Sequence, residues 1–210
     1  MNPIFSPALR RVLSASFAVQ AIILAGCIPQ GYNYFEPSAP SGHVEQWRGA
    51  CGGAYDHITF TAPNYSWVQV RLSTSEFDYD KRVPAPLTVY LTIRKHIPSE
   101  FGPFADEEKQ AVYNSWQAQK ISIAPTAGSI DVSWQGGGHA SLPISFPDAK
   151  AVLVLDEKKD FFEQKVVIPG FAEQSFDVQL PTFLIDGVAL EFPPVHFQRV
   201  DKILASAINC

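Results

Sequence analysis

The chain has 210 residues, of which 16 are basic and 21 acidic, and its formal net charge is −5 at pH 7. Nucleic-acid binding is dominated by neutralisation of phosphates, so this balance argues against a nucleic-acid partner. It argues equally against a surface that grips anionic lipid. A domain of this length buries roughly 70% of the surface that its unfolded chain exposes, so the fold requires no additional cross-link.

The first 26 residues have the pattern of an export signal. Arg10 and Arg11 supply a positive start, and no acidic residue precedes Glu36. The segment Val12–Ile23 is mostly apolar. About 20 apolar residues are needed to cross a bilayer core of roughly 30 Å as a helix, and this run is shorter. The segment is therefore predicted to be a secretory signal peptide.

The predicted signal ends in Leu24-Ala25-Gly26-Cys27. This motif resembles the lipobox of bacterial lipoproteins. The resemblance implies cleavage before Cys27 and attachment of diacylglycerol to its thiol, and two or three acyl chains give stable anchoring. In that family the next residue helps to sort proteins between membranes. Here Ile28 takes the place of the aspartate that retains lipoproteins in the inner membrane, which implies an outer-membrane lipoprotein facing the periplasm.

Removal of residues 1–26 would leave 14 basic and 21 acidic residues, a net charge of −7, because the signal contains two arginines and no acids. Residues 27–46 are rich in Pro, Gly, Ser and Tyr, with no sustained period, which predicts a flexible tether. Tyr32, Tyr34 and Phe35 are the residues that could dock and order part of it. Residues 47–210 are predicted to form a single folded domain.

Alternation of apolar and polar residues predicts a succession of short strands. In chain order they are Tyr65–Leu72, Leu87–Arg94, Ile121–Ile123, Ile130–Trp134, Lys165–Ile168, Phe176–Leu180, two runs within Phe183–Leu190, and Val195–Val200. The continuous apolar run Ala151–Leu155 predicts a central strand. Asp186-Gly187 suits a two-residue type I′ hairpin turn. Helices are predicted at Ala105–Gln117, which has acids in its first turn, and at Asp201–Ile208.

Short strands separated by Pro, Gly and Asp turns predict an all-β fold. The expected architecture is an antiparallel β-sandwich of two sheets, similar to an immunoglobulin domain, with one or two short helices. The 17 prolines agree with this architecture because proline blunts edge strands and fixes turns. A barrel is the structural alternative.

Cys51 and Cys210 are the two cysteines besides Cys27. In an oxidising compartment two thiols predict one disulfide. It would close nearly the whole domain, for which loop entropy gives an upper value of roughly 5 kcal/mol. The alternative is a reactive Cys51 with His57 nearby.

No spacing in the chain indicates a catalytic, metal or cofactor site. The five histidines lack zinc-type spacing with one another or with the cysteines; they are His43, His57, His96, His139 and His196. The run Gly136-Gly137-Gly138-His139 has no Gly-x-Ser-x-Gly elbow or phosphate-loop lysine to accompany it. It predicts a hairpin loop, with Gly137 and His139 as candidate contacts for a partner.

Aromatic residues supply the other candidates for interaction. Alternation places Trp67 and Tyr90 on the faces opposite the aliphatic residues of their strands, and Phe101 and Phe104 lie in a predicted loop. Such side chains anchor interfaces when they are exposed.

The sequence favours a non-enzymatic protein-binding module in the cell envelope, such as an immunity protein or an accessory of an envelope assembly. One alternative is a carbohydrate- or peptidoglycan-binding module, which requires coplanar exposed aromatics on one sheet face. The other is a hydrolase with a dispersed site, which requires a concave cluster of a histidine or acids. Convergence of His57, His96 or His139 with acids in a cleft would overturn the protein-binding interpretation.

Overall fold

The computed structural model describes residues 27–45, 55–74, 86–97, 106–126, 128–147 and 150–207. These ranges contain fourteen strands and one helix. In chain order the elements are β1 (Cys27–Ser38), β2 (His43–Glu45), β3 (His57–Ala62), β4 (Tyr65–Thr74), β5 (Leu87–Lys95), α1 (Glu107–Ala118), β6 (Ile121–Pro125), β7 (Ser129–Trp134), β8 (Gly138–Pro143), β9 (Leu153–Leu155), β10 (Phe161–Ile168), β11 (Ser175–Gln179), β12 (Phe183–Ile185), β13 (Val188–Leu190) and β14 (Val195–Ala207).

The strands form three antiparallel sheets, which confirms the predicted all-β sandwich. Sheet A has the order β1-β14-β11-β7-β8, sheet B the order β10-β5-β4-β3-β2, and sheet C the order β13-β12-β6-β9. The third sheet arises because the chain bends at two neighbouring places, between β6 and β7 and between β11 and β12. The chain passes from β6 in sheet C to β7 in sheet A, and from β11 in sheet A to β12 in sheet C. At the bend the backbone N–H of Thr126 donates to the carbonyl of Thr182 at 2.9 Å.

All three sheets contribute to one apolar core. In β5 the residues Leu87, Val89, Leu91 and Ile93 are fully buried, as their alternation predicts. Each buried aliphatic side chain contributes about 1.5–3 kcal/mol relative to its exposed state. Between the sheets, the ring of Phe192 meets Phe60 of sheet B and Phe183 of sheet C edge to face.

The predicted flexible tether is a strand over much of its length. The whole of β1 pairs with β14, from Cys27 opposite Ala207 to Ser38 opposite His196. Tyr34 and Phe35, which the sequence marks as able to dock, are 1% and 0% exposed. Pro29, Gly31 and Pro37 obscure the strand pattern in the sequence. At an edge, however, a proline does not break the ladder if the missing N–H would have pointed away from the neighbour.

The predicted helix at Asp201–Ile208 is wrong. Residues through Ala207 continue β14, because the long partner β1 supplies backbone hydrogen bonds along its whole length. The local pattern is compatible with a helix, but cross-strand pairing decides the conformation.

The run Ala151–Leu155 is also not a central strand. Only Leu153–Leu155 pairs, as β9 at an edge of sheet C, and Val152 and Val154 are exposed. This short apolar run therefore forms an edge strand, and one of its two faces is exposed to solvent. In contrast, the hairpin at Asp186-Gly187 is confirmed: both residues have positive φ, 47° and 82°, and they join β12 to β13.

The helix α1 confirms the prediction for Ala105–Gln117 with small shifts at its ends. Its N-cap is Asp106, whose side chain accepts a hydrogen bond from the backbone N–H of Lys109 at 2.9 Å. Glu107 and Glu108 lie in the first turn, where negative charge is favourable. None of its residues is fully buried, so the helix lies on the outside of the sandwich.

Candidate functional site

Trp67 does not have the exposed position that alternation predicts, since it is 4% exposed. Its ring stacks on Trp116 of α1, with an interplanar angle of 18° and centroids 6.2 Å apart. The pairing of β3 with β4 also shifts here, from Thr61 opposite Gln69 to Ala62 opposite Tyr65. A bulge of this kind interrupts strict alternation of faces. Trp67 is therefore part of the packing that holds α1, and it is not an accessible contact.

Lys95 holds the C-terminal end of α1 against sheet B. Its Nζ donates to the carbonyls of Trp116 at 3.3 Å and Gln117 at 2.9 Å, and also to that of Gln119. The last carbonyls of a helix have no partners within the helix, so an ammonium there satisfies them. The same Nζ lies 5.4 Å from the centre of the Trp67 ring. Burial lowers the pKa of Lys95, opposed by the charges of Asp156, Asp160 and Glu157.

The outer face of sheet B carries a row of polar residues across neighbouring strands. His57 of β3 lies opposite Ser73 of β4, which lies opposite Tyr90 of β5. One step along, Arg71 lies opposite Thr92. The same strands turn their aliphatic residues to the core. The register therefore gathers side chains that are distant in sequence onto one surface.

This row lines a cleft of about 390 Å³. The lining residues come from four strands and the residue before β3; they are Asp56, His57, Arg71, Ser73, Thr74, Tyr90, Thr92, Arg94, Phe161 and Glu163. We call this cavity the sheet B cleft. Tyr90 is half-buried here, on the outer face that its alternation predicts, and Lys165 Nζ lies 5.2 Å from its ring centre.

Asp56, His57 and Arg71 form a chain of hydrogen bonds in the wall of the cleft. His57 Nδ1 lies 2.8 Å from Asp56 Oδ1, and His57 Nε2 contacts a terminal nitrogen of Arg71. A guanidinium only donates, so His57 Nε2 accepts and the ring proton is on Nδ1, where it is donated to Asp56. Glu45 Oε2 lies 3.4 Å from the same Nε2. His57 is 1% exposed, and both of its ring nitrogens are occupied.

The cleft contains two guanidinium groups that lack a carboxylate partner among the described residues. Arg71 contacts His57, while its Nε is buried without a hydrogen-bond partner. Arg94 donates to Gln69 Oε1 from Nε at 3.3 Å and from a terminal nitrogen at 3.0 Å. Burial lowers the pKa of Arg71 and of Arg94, and the charge of Arg94 lowers the pKa of Arg71 further. The charge of Glu45 raises the pKa of both arginines, and the charge of Asp56 raises that of Arg71.

The predicted hairpin loop at Gly136-Gly137-Gly138-His139 joins β7 to β8. Gly137 has a φ of +80°, and a Cβ added to it would meet nothing within 4 Å. His139 is exposed, with Nε2 3.8 Å from Asp131 Oδ1. This pair lies in sheet A, whereas the cleft lies in sheet B, so the structure does not bring the two sets of candidate residues into one site.

Asp131 is held by two serines on this face. Ser141 Oγ donates to Ser129 Oγ at 2.7 Å, and Ser129 Oγ donates to Asp131 Oδ1 at 2.8 Å. Hydrogen bonding from Ser141 and Ser129 lowers the pKa of Asp131. Of the remaining histidines, His196 contacts Asp177 at 2.9 Å in solvent, and His96 follows β5, where burial lowers its pKa.

Four of the predicted residues lie outside the described ranges: Cys51, Cys210, Phe101 and Phe104. The disulfide between the two cysteines therefore stays a prediction. Cys27 begins β1 in its backbone. Within the described ranges no three metal-ligating side chains gather, and no helix there has the length and apolar character needed to cross a bilayer.

Sequence reasoning missed Asp56, Arg71 and Arg94 as members of a site. A signal existed, since Arg71 alternates with Val70 and Leu72, and Arg94 is the outward end of the Leu87–Arg94 pattern. The alternation indicates a face, but only the register between β4 and β5 brings the two arginines together. Comparison with models of protein families, with curated protein sequences and with solved structures found no significant match to this chain.

Proposed function

We propose that this protein is a lipid-anchored envelope protein that binds another protein through the sheet B cleft and catalyses no reaction. The observation that carries the proposal is the pair of guanidiniums, Arg71 and Arg94, neither of which forms an ion pair with a described carboxylate. Removing a charge from water without a counter-ion is unfavourable. A fold that keeps two such groups in a cleft is suited to an anionic group brought by a partner.

The overall charge of the chain supports selectivity for a particular partner. An acidic protein repels anionic macromolecules at long range, so only a ligand that places its negative group inside the cleft benefits from the two arginines. The partner's identity would distinguish an immunity protein, which occludes an incoming enzyme, from an accessory of an envelope assembly.

The proposed anchor rests on Leu24-Ala25-Gly26-Cys27. It is tested by growing cells with an alkyne-bearing palmitate and measuring the label on the protein. We expect the label to be lost in Cys27→Ala and retained in the matched control Cys51→Ala. Label that persists in Cys27→Ala would contradict lipidation at that residue.

The binding proposal is tested by site-specific photo-crosslinking of the full chain in its native cell. Phe161, at the rim of the cleft, is 48% exposed and is replaced by p-benzoylphenylalanine. The matched control carries the same group at Val188 of β13, which is 37% exposed. We expect one protein adduct from position 161, none from position 188, and loss of the adduct when Arg94→Gln is added. Equal adducts at both positions would contradict the proposal.

A hydrolase is the second candidate, because His57 does converge with Asp56 and Glu45 at the cleft. The positions of these residues match the convergence of a histidine with acids that is expected of a hydrolase. His57 is not available as a general base, however, because Arg71 occupies the Nε2 lone pair that would have to take a proton. The test is turnover of p-nitrophenyl acetate and cell-wall fragments by the wild type and His57→Gln. Turnover that disappears in His57→Gln would replace the binding proposal with the hydrolase.

A further inference from the structure

We infer that the sheet B cleft recognises a single carboxylate of the partner polypeptide, held between Arg71 and Arg94, with an apolar group beside it. The inference rests on the proposed protein-binding function and specifies the chemistry of the group that enters. It is carried by the positions of the two arginines, the charges around them and the walls of the cleft.

The two arginines are diagonal neighbours on one face of adjacent strands. Arg71 pairs with Thr92, and Arg94 pairs with Gln69, so each arginine is two residues along from the other's partner. Diagonal neighbours of this kind are within reach of long side chains. Planar guanidinium forks match the two oxygens of a carboxylate. Arg94 uses Nε and one terminal nitrogen for Gln69, so its other terminal nitrogen is a donor left for such an oxygen.

The charged groups around the cleft favour an anion with one negative charge. Three acidic residues lie in or near the cleft with the two arginines: Asp56, Glu45 and Glu163. Asp56 is bonded to His57, Glu45 faces His57 at 3.4 Å, and Glu163 lies 3.9 Å from Lys165. None of these acids forms an ion pair with either guanidinium, but their charges partly offset those of the arginines and repel further negative charge. A carboxylate therefore fits this environment better than a dianionic phosphate.

The remaining walls indicate what carries the carboxylate. Tyr90 and Phe161 line the cleft with aromatic rings, and Ser73 and Thr92 add hydroxyl groups. A volume of about 390 Å³ accommodates a side chain with a neighbouring peptide group. The fitting ligand is thus a peptide carboxylate next to an apolar side chain.

The test uses N-acetylphenylalanine, which has both features, and compares it with N-acetylphenylalaninamide and inorganic phosphate. Binding to the full chain is followed by amide NMR shifts. We expect the acid to shift Thr92 and Tyr90, and the amide to bind at least tenfold more weakly. Arg94→Gln should weaken the acid at least tenfold, while Lys109→Gln, which removes a cation from α1, should leave it unchanged. The shifts in the wild type decide the matter even if Arg94→Gln is poorly folded.

Equal binding of the acid and the amide, or tighter binding of phosphate, would overturn the inference. A cross-linked partner found alongside equal binding leaves the proposed function intact and removes the carboxylate chemistry. Arginine-dependent binding of the acid without any cross-linked partner supports the carboxylate site and counts against the protein-binding function. The protein-binding function and the carboxylate site are therefore contradicted by different experiments.

Discussion

Phe35 of β1 and Phe176 of β11 meet edge to face, with their ring centroids 4.9 Å apart. Both rings are buried, and Phe171 lies against each of them. The segment that resembles a linker in the sequence is thus continuous with the core of sheet A.

This contact allows a test of whether β1 is an integral strand of the fold or a tether outside it. Phe35→Ala should lower the free energy of unfolding by about 3–5 kcal/mol, because it removes a buried aromatic ring and leaves a cavity. Urea titration followed by fluorescence measures it. Ser38→Ala, an exposed position on the same strand, should change the stability little. A Phe35→Ala protein as stable as the wild type would show that β1 adds nothing to the fold.

Lys95→Met should detach α1 from the sandwich. The change removes the ammonium from the carbonyls of Trp116, Gln117 and Gln119, and hydrogen bonds to a charged group contribute about 1.5–3 kcal/mol. We expect a loss of about 2 kcal/mol in urea unfolding, with faster amide exchange in α1. The control is Lys165→Met, since that ammonium is also over a ring but is exposed. Equal effects of the two changes would contradict the capping role.

Gly187→Ala tests the hairpin between β12 and β13 through the backbone alone. An added Cβ meets nothing within 4 Å, but φ is +82°, a conformation that costs an L-residue about 1–2 kcal/mol. Thermal unfolding should show that loss for Gly187→Ala and a smaller one for Gly187→Asn, because asparagine tolerates this region. A larger loss with asparagine than with alanine would exclude backbone conformation as the cause.

The pKa of Asp131 should rise when its two serine partners are replaced. In Ser129→Ala/Ser141→Ala the hydrogen bonds that lower this pKa are absent, and carboxyl carbon NMR against pH measures the change. A depressed folded-state pKa stabilises the protein above the unfolded value, and this contribution is lost as pH falls through the folded value. Its size is small because Asp131 is 41% exposed. Ser133→Ala, on the same strand, should leave the titration unchanged.

Alternation of residues was sufficient to predict the strands whose two faces differ. Leu87–Lys95 is the clearest example, since every second residue is buried. It was insufficient for β1 and for the end of β14, where the two strands determine each other through pairing across about 170 positions of sequence. It failed at Trp67, because a bulge and a helix from elsewhere in the chain decide the burial of that residue.

The candidate site was beyond prediction for the same reason. Arg71 and Arg94 each fit an ordinary outward position, and neither belongs to a motif with fixed spacing. What makes them a site is the register of β4 with β5 and the lack of an ion pair from either arginine to a described carboxylate. Register is fixed by the whole sheet, and one strand's sequence does not contain it.

The pairing of β1 with β14 has a mechanical consequence for the proposed lipid anchor at Cys27. β11 pairs with β14 only at the start of that strand, from Val195 to Gln198. Beyond them, Cys27–Asn33 and Asp201–Ala207 continue as a two-stranded ribbon, roughly 20 Å long at about 3.4 Å per residue. Acyl chains on Cys27 would attach the bilayer to one end of this paired ribbon and not to a flexible linker. Pairing along the ribbon would then limit how far the sheet B cleft can move from the bilayer.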